Sequence, residues 1–215
     1  IMNKQLIKYL FLFFFLINPL YGNEQKIVLP KVTAEYVTNT SFKVGVLDIR
    51  TRTFHSKNKK RIDTVVDNVP QSVIIDYSKN VATYVWPKTS AYLTVKLNPE
   101  IQNKLKEIYT INYLKKIKSE FLHGFETDVF NLKMELHDGT IEESTRWITK
   151  HGITLRETGF IDGKQGKLHF LSEFSNLKIF KQDNRVFEVP NGYTEAPIDQ
   201  LDDVNDLLKL MVKRV

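Results

Sequence analysis

Five histidines, at positions 55, 123, 137, 151 and 169, and the absence of cysteine bound the chemistry open to this chain. No two histidines fall in the His-Glu-x-x-His spacing that holds zinc on one helical face, and there is no thiolate to act as nucleophile or soft ligand. The Gly-x-Ser-x-Gly elbow and glycine-rich phosphate loops are also missing. His123 near Glu126 and His137 beside Asp138 are the pairings with some capacity for a site. Isolated histidines at strand ends and turns are more often solvated or singly bonded. The prediction is a protein that is not an enzyme and carries no metal and no cofactor.

Charge offers a second kind of chemistry. Lysine and arginine number 31 against 25 acids, a formal net charge of +6. Basic side chains concentrate at Arg50, Arg52, Lys57, Lys59, Lys60 and Arg61. Such a cluster either keeps a hairpin tip solvated or forms a landing patch for anionic headgroups or an acidic partner, at about 1 kcal/mol per basic residue near a charged surface. Nucleic acid binding calls for a concentrated basic stripe with aromatic platforms, and that pattern is absent.

The elements that must position these residues begin after a leader. Lys4 and Lys8 precede an apolar run from Tyr9 to Ile17, then Asn18-Pro19 and the small Gly22. This is the order of a cleavable secretory signal. The run is shorter than the roughly 20 apolar residues of a membrane span. Residues 1–22 are therefore expected to be removed, which takes two lysines and no acid from the charge. With no cysteine to lipidate, the product is expected to be soluble in a bacterial periplasm, held together by burial alone.

Residues 23–197 read as one mostly β domain. Val32 to Val37, Phe42 to Phe54 and Arg61 to Asp67 are rich in Val, Ile, Thr and aromatics, as strands are. Val73 to Tyr77 and Val81 to Trp86 predict a hairpin around Ser78-Lys79-Asn80, and residues 91–97 alternate with period two. At Asn98-Pro99 a cap and a first-turn proline signal a helix. Ile101, Leu105, Ile108, Ile111, Leu114, Ile117 and Phe121 then recur at steps of three and four. The spacing predicts a helical insert over 99–121, with lysines 104, 106, 115, 116 and 118 on its outer face. Strands resume at Phe130, Leu132, Met134 and Leu136, turn at Asp138-Gly139 and continue over 140–149, 153–160 and 167–180. A second helical pattern, Ile198, Leu201, Val204, Leu208, Met211 and Val212, closes the chain over 198–215. The fold class expected is α+β: a large curved antiparallel sheet, an open half-barrel, with a helical lid insert and a C-terminal helix.

Such a sheet has two faces and few helices to cover them. The insert is the natural lid, with Ile101, Leu105, Ile108, Leu114 and Ile117 facing inward. Phe130, Leu132, Met134, Leu136, Trp147, Phe170 and Phe174 then line either an apolar cavity suited to acyl chains or an ordinary core, since the two look alike in sequence.

Particular segments add a resemblance. Ser72-Val-Ile-Ile-Asp76-Tyr-Ser-Lys-Asn80-Val81, Ala82-Thr-Tyr-Val-Trp86-Pro87 and above all Val186-Phe-Glu-Val-Pro190-Asn-Gly192-Tyr193 resemble the superfamily of periplasmic lipoprotein carriers. It includes the LolA-type carrier, the LolB-type receptor and the sensor domain of an envelope-stress regulator. The resemblance spans roughly Val32 to Tyr193. It implies an open half-barrel closed by a helical lid, an apolar cavity for the acyl groups of lipids or lipoproteins, and a partner that is lipid, an envelope protein or an anionic membrane surface. Carriers place an Arg-Pro pair before the third strand. Here that stretch reads Phe54-His-Ser-Lys-Asn-Lys-Lys-Arg61-Ile-Asp63, and the arginine's lid role is not carried over to Arg61. A non-transporting interaction module on the same fold is the competing expectation.

Overall fold

A computed structural model describes residues 29–66, 68–97, 109–136, 139–163 and 166–196. The predicted leader, the first part of the expected insert (Ile101, Leu105 and Ile108 included) and the helical pattern expected over 198–215 lie outside the described residues.

Among the described residues, twelve strands form one sheet. Its first half is a meander of β1 (Tyr36–Val44), β2 (Leu47–His55), β3 (Lys59–Val66), β4 (Val69–Asp76), β5 (Val81–Trp86) and β6 (Ala91–Lys96). Its second half is a meander of β7 (Tyr109–Leu122), β8 (Phe125–Leu136), β9 (Ile141–Thr149), β10 (Thr154–Gly163) and β11 (Gly166–Ile179). The halves join where β1 pairs antiparallel with β11. The short β12 (Thr194–Glu195) adds to β6 in parallel, giving the order β12-β6-β5-β4-β3-β2-β1-β11-β10-β9-β8-β7. The sheet is curved and unclosed, with β12 at one edge and β7 at the other.

Local chemistry explains much of this. The expected hairpin between β4 and β5 is made by Asp76, whose Oδ1 accepts from Ser78 N at 3.0 Å and Lys79 N at 3.1 Å, while Asn80 takes a positive φ of 52°. The single strand expected over Phe42 to Phe54 is instead two, because Gly45, at φ 55°, reverses the chain between β1 and β2. Between Gly159 and β9 the backbones approach so closely that a Cβ would collide with the Glu143 carbonyl and sit 2.7 Å from Ser144 Cα.

The larger correction concerns the insert. Residues 109–122 are a β-strand, so Leu114 and Ile117 sit in the sheet and not on a lid helix. The three-residue steps that imitated a helix come from two β-bulges. Register slips at Asn112 and again at Ile117, so Ile111 opposes Met134 while Leu114 opposes Leu132. An extra residue per bulge turns a two-residue period into a three-residue one. The β-branched and aromatic content of Tyr109, Thr110, Ile111, Tyr113, Ile117 and Phe121 then favours the strand.

Candidate functional site

The register sorts side chains onto two faces. One face carries most of the apolar surface. At the β7 side, Leu114, Phe130, Leu132, Met134 and Ile148 form a buried cluster. At the far side, Ile75, Ala82, Tyr84 and Leu93 form another, flanked by Val73, Trp86 and Val95. Between them, at one end of the central strands, Phe42, Val44 and Phe170 pack with Ile49, Ile161 and Leu168. Tyr36, Leu155 and Phe174 join Ile153 in a fourth cluster near the opposite ends.

The cavity residues expected from sequence divide accordingly. Phe130, Leu132 and Met134 come together in one cluster, and Phe170 and Phe174 lie on the same face in two others. Leu136 follows them on β8, opposite Tyr109 in the register. Trp147 does not join them. It opposes Val129 and Arg156 in the register, on the other face, where its indole N–H donates to Glu120 and the Arg156 guanidinium lies 5.6 Å from its ring. The strand Ile141-Glu-Glu-Ser-Thr-Arg-Trp-Ile-Thr149 invites the assignment of Trp147 inward and the charges outward. The structure inverts it: Glu142, Ser144 and Arg146 are buried and Trp147 is half-exposed.

That inversion is stabilised by a buried ionic cluster which sequence reasoning missed. Arg146 Nη2 lies 3.2 Å from Glu142 Oε1, and Arg146 Nε donates to Glu157, which β10 presents directly opposite. Ser144 Oγ donates to Glu157 at 3.0 Å. Burial first, and the charge of Glu157 second, push the Glu142 carboxyl above its ordinary range against the pull of Arg146. A polar island thus sits beside the apolar floor: Met134 opposes Glu142, Leu132 opposes Ser144 and Phe130 opposes Arg146.

A second polar row crosses β1 to β3 on the same face. Tyr36 stacks on His55 with ring centroids 5.0 Å apart, and His55 opposes Lys60. Burial, then the Lys60 charge, pulls the His55 imidazole down to about 4. Burial alone pulls the Lys60 ammonium down to about 8, and burial pushes the Tyr36 hydroxyl up. Thr38, Thr40, Thr51 and Thr53 continue this polar strip, and Thr51 Oγ1 and His55 Nδ1 are buried without a hydrogen-bond partner among the described residues.

The basic cluster read from sequence is split by strand alternation. Lys60 is buried on the apolar face, whereas Arg50, Arg52 and Arg61 project from the other. Lys59, one step from Lys60 in the strand, opposes Asp76. Arg61 is anchored there by Asp63 Oδ1 at 2.7 Å, the Val186 carbonyl at 2.9 Å and Ser72 Oγ at 3.3 Å. The Val186-to-Tyr193 motif lies across this second face: Phe187 is buried against Ile74 and Val85, with Val186, Val189 and Tyr193 packing beside Phe54 and Tyr92. The segment that carried the resemblance is therefore a latch on the outside of β3 to β6, tied by Arg61.

A solved structure of an uncharacterised conserved protein from Thermus thermophilus superposes with a TM-score of 0.53 at 8% identity, covering 77% of this chain and 91% of that one. This chain shares the fold of that protein. At such identity the likeness is one of architecture. Two further structures align at lower scores. A chain of the Pseudomonas aeruginosa MucA/MucB complex gives 0.48 at 11% identity, over 74% of this chain and 56% of that one. The Mycobacterium tuberculosis lipoprotein LppX gives 0.41 at 12%, over 73% and 90%. No protein-family profile and no curated protein matches the sequence. Among the described residues, no helix is long and apolar enough to cross a membrane, and no group of three His, Asp or Glu is placed to hold a metal.

Proposed function

We propose that this protein is a non-enzymatic binding or carrier protein of the bacterial periplasm that holds acyl chains of a lipid or lipoprotein against the apolar face of its half-barrel. The observation that carries the reading is the concentration of aromatic and aliphatic clusters on one face of an open sheet, from Leu93 on β6 to Leu114 on β7. Contact with an acyl chain gives about 0.8 kcal/mol per buried methylene, so a chain of roughly 16 carbons supplies on the order of 10 kcal/mol before ordering costs. The polar island of Glu142, Ser144, Arg146 and Glu157 interrupts the floor, which favours a guest with a polar group along its length over plain hydrocarbon.

Native mass spectrometry of the protein purified from its own envelope tests this directly. Co-purifying lipid, displaced by a fluorescent fatty acid, is the expected result. A lipid-free protein that also fails to take up the probe overturns the carrier reading and leaves the interaction module in its place.

A further inference from the structure

The face opposite the apolar floor holds a groove of about 730 Å³ over β1 to β4. This volume falls in the range of small-molecule sites, about 300–1,000 Å³. Its lining includes three guanidinium groups, Arg50, Arg52 and Arg61, against one carboxylate, Asp63. Asp63 is engaged by Arg61 at 2.7 Å, and Arg50 reaches out to Asp48 at 3.3 Å with its side chain 81% exposed. Arg52 has no ion-pair partner among the described residues; its guanidinium rests over the Phe54 ring at 4.9 Å. That contact orients the fork without neutralising it.

The register shows what surrounds it. Asn39 stands directly across from Arg52, and Ser41 from Arg50. On the other side Asp63 stands directly across from Arg52, and Arg61, its ion-pair partner, lies two residues along that strand, opposite Phe54. Diagonal cross-strand neighbours are about 7–8 Å apart, within reach of long side chains. Backbone amides here are committed to sheet pairing across β1, β2, β3 and β4, so recognition falls to side chains. Those are guanidinium forks, which match tetrahedral oxyanions, set among short amide and hydroxyl groups such as Asn39, Ser41, Ser72 and Ser175, which match a polyol.

We propose that this groove binds a phosphorylated polyol, with Arg52 and Arg61 taking the phosphate and the flanking Asn and Ser side chains taking the hydroxyls. Arg61 is held in place by Ser72 and the latch carbonyl of Val186, so the site is pre-ordered on one side, while Arg52 and Arg50 close from the other. The groove is independent of the acyl-chain reading, because it lies on the opposite face and shares none of the floor's apolar clusters.

The phosphate could come from a lipid head or a soluble metabolite, and the experiment separates them. Full-length protein is titrated with sn-glycerol 1-phosphate, with glycerol as control, following the Nε–H resonances of Arg50, Arg52 and Arg61. Flotation with phosphatidylglycerol vesicles against phosphatidylcholine vesicles is run in parallel. Saturable movement of the Arg52 and Arg61 resonances, with the affinity read at Arg61 weakened about tenfold or more in Arg52→Gln at an unchanged urea midpoint, supports a soluble ligand. Arg52-dependent flotation with phosphatidylglycerol and no soluble binding assigns the phosphate to a lipid head and supports the site equally. Arg50→Gln, at an exposed position, gives an independent second loss. The proposal is overturned if neither phosphate probe binds, if binding is equal in both variants and wild type, or if a hexaglutamate peptide binds where both phosphate probes do not.

Discussion

Replacing Arg146 with methionine is the sharpest test of how the central strands are held. The guanidinium sits between two buried carboxylates, 3.2 Å from Glu142 and in direct contact with Glu157, and all three residues are 9% exposed or less. Two acids share one base, an excess of one negative charge, and burial first, with the Glu157 charge second, already holds the Glu142 carboxyl high. Removing one partner of a buried pair costs about 3–5 kcal/mol, since the remaining charge keeps its desolvation penalty and loses its compensation. With a urea dependence of about 2 kcal/mol per molar, the unfolding midpoint of Arg146→Met at pH 8 is expected to fall by about 2 M.

The loss has a definite pH dependence. In the variant, the Glu142 carboxyl stays raised in the folded state and loses the pull of Arg146, so the folded protein binds more protons and stability falls as pH rises through and above the ordinary carboxylate range. The penalty is therefore smaller at pH 5 than at pH 8. Glu142→Gln removes the excess charge and should leave stability at pH 8 unchanged or raised. Urea denaturation of the three proteins at both pH values reads this out. A loss under about 1 kcal/mol in Arg146→Met, equal at pH 5 and pH 8, would show that water reaches these groups and refute the buried cluster.

Other outcomes follow from the same reasoning. Lys60 is lowered to about 8 from 10.5 by burial, so charge is disfavoured in the fold; below about pH 8 the full penalty is present, and wild-type stability should rise between about pH 8 and 10.5 as the folded state sheds the proton first. Lys60→Met is then expected to abolish that rise in urea titrations. Phe187→Ala should cost about 3–5 kcal/mol by emptying the contact with Ile74 and Val85, and should expose the latch to cleavage after Tyr193 in a limited chymotrypsin digest. Gly159→Ala places a methyl against the Glu143 carbonyl and 2.7 Å from Ser144 Cα, so the β9–β10 ladder must part; a loss of about 3 kcal/mol, with faster amide exchange confined to those strands, is the expected result.

Alternation and turn chemistry were legible in the chain itself. Ser78-Lys79-Asn80 marks the β4–β5 hairpin, residues 91–97 show their two-residue period, and Phe130, Leu132 and Met134 declare a buried face, because those signals depend on neighbours a few positions away. The motif ending in Gly192-Tyr193 was legible as a resemblance, though its physical task, latching the outside of β3 to β6 through Arg61 and Phe187, needed the fold.

Three features were decided only in three dimensions. The bulges at Asn112 and Ile117 gave β7 a helical cadence, and only pairing with β8 shows that the three-residue steps lie on a strand. Glu142 and Arg146 are buried because Glu157, on the neighbouring strand, meets them, so Trp147 takes the opposite face. Lys60 and Arg61, adjacent in sequence and read as one basic patch, point to opposite faces, one into the interior and one into the groove. In each case a side chain's surroundings are supplied by a strand distant in the chain, and periodicity reports only a residue's own strand.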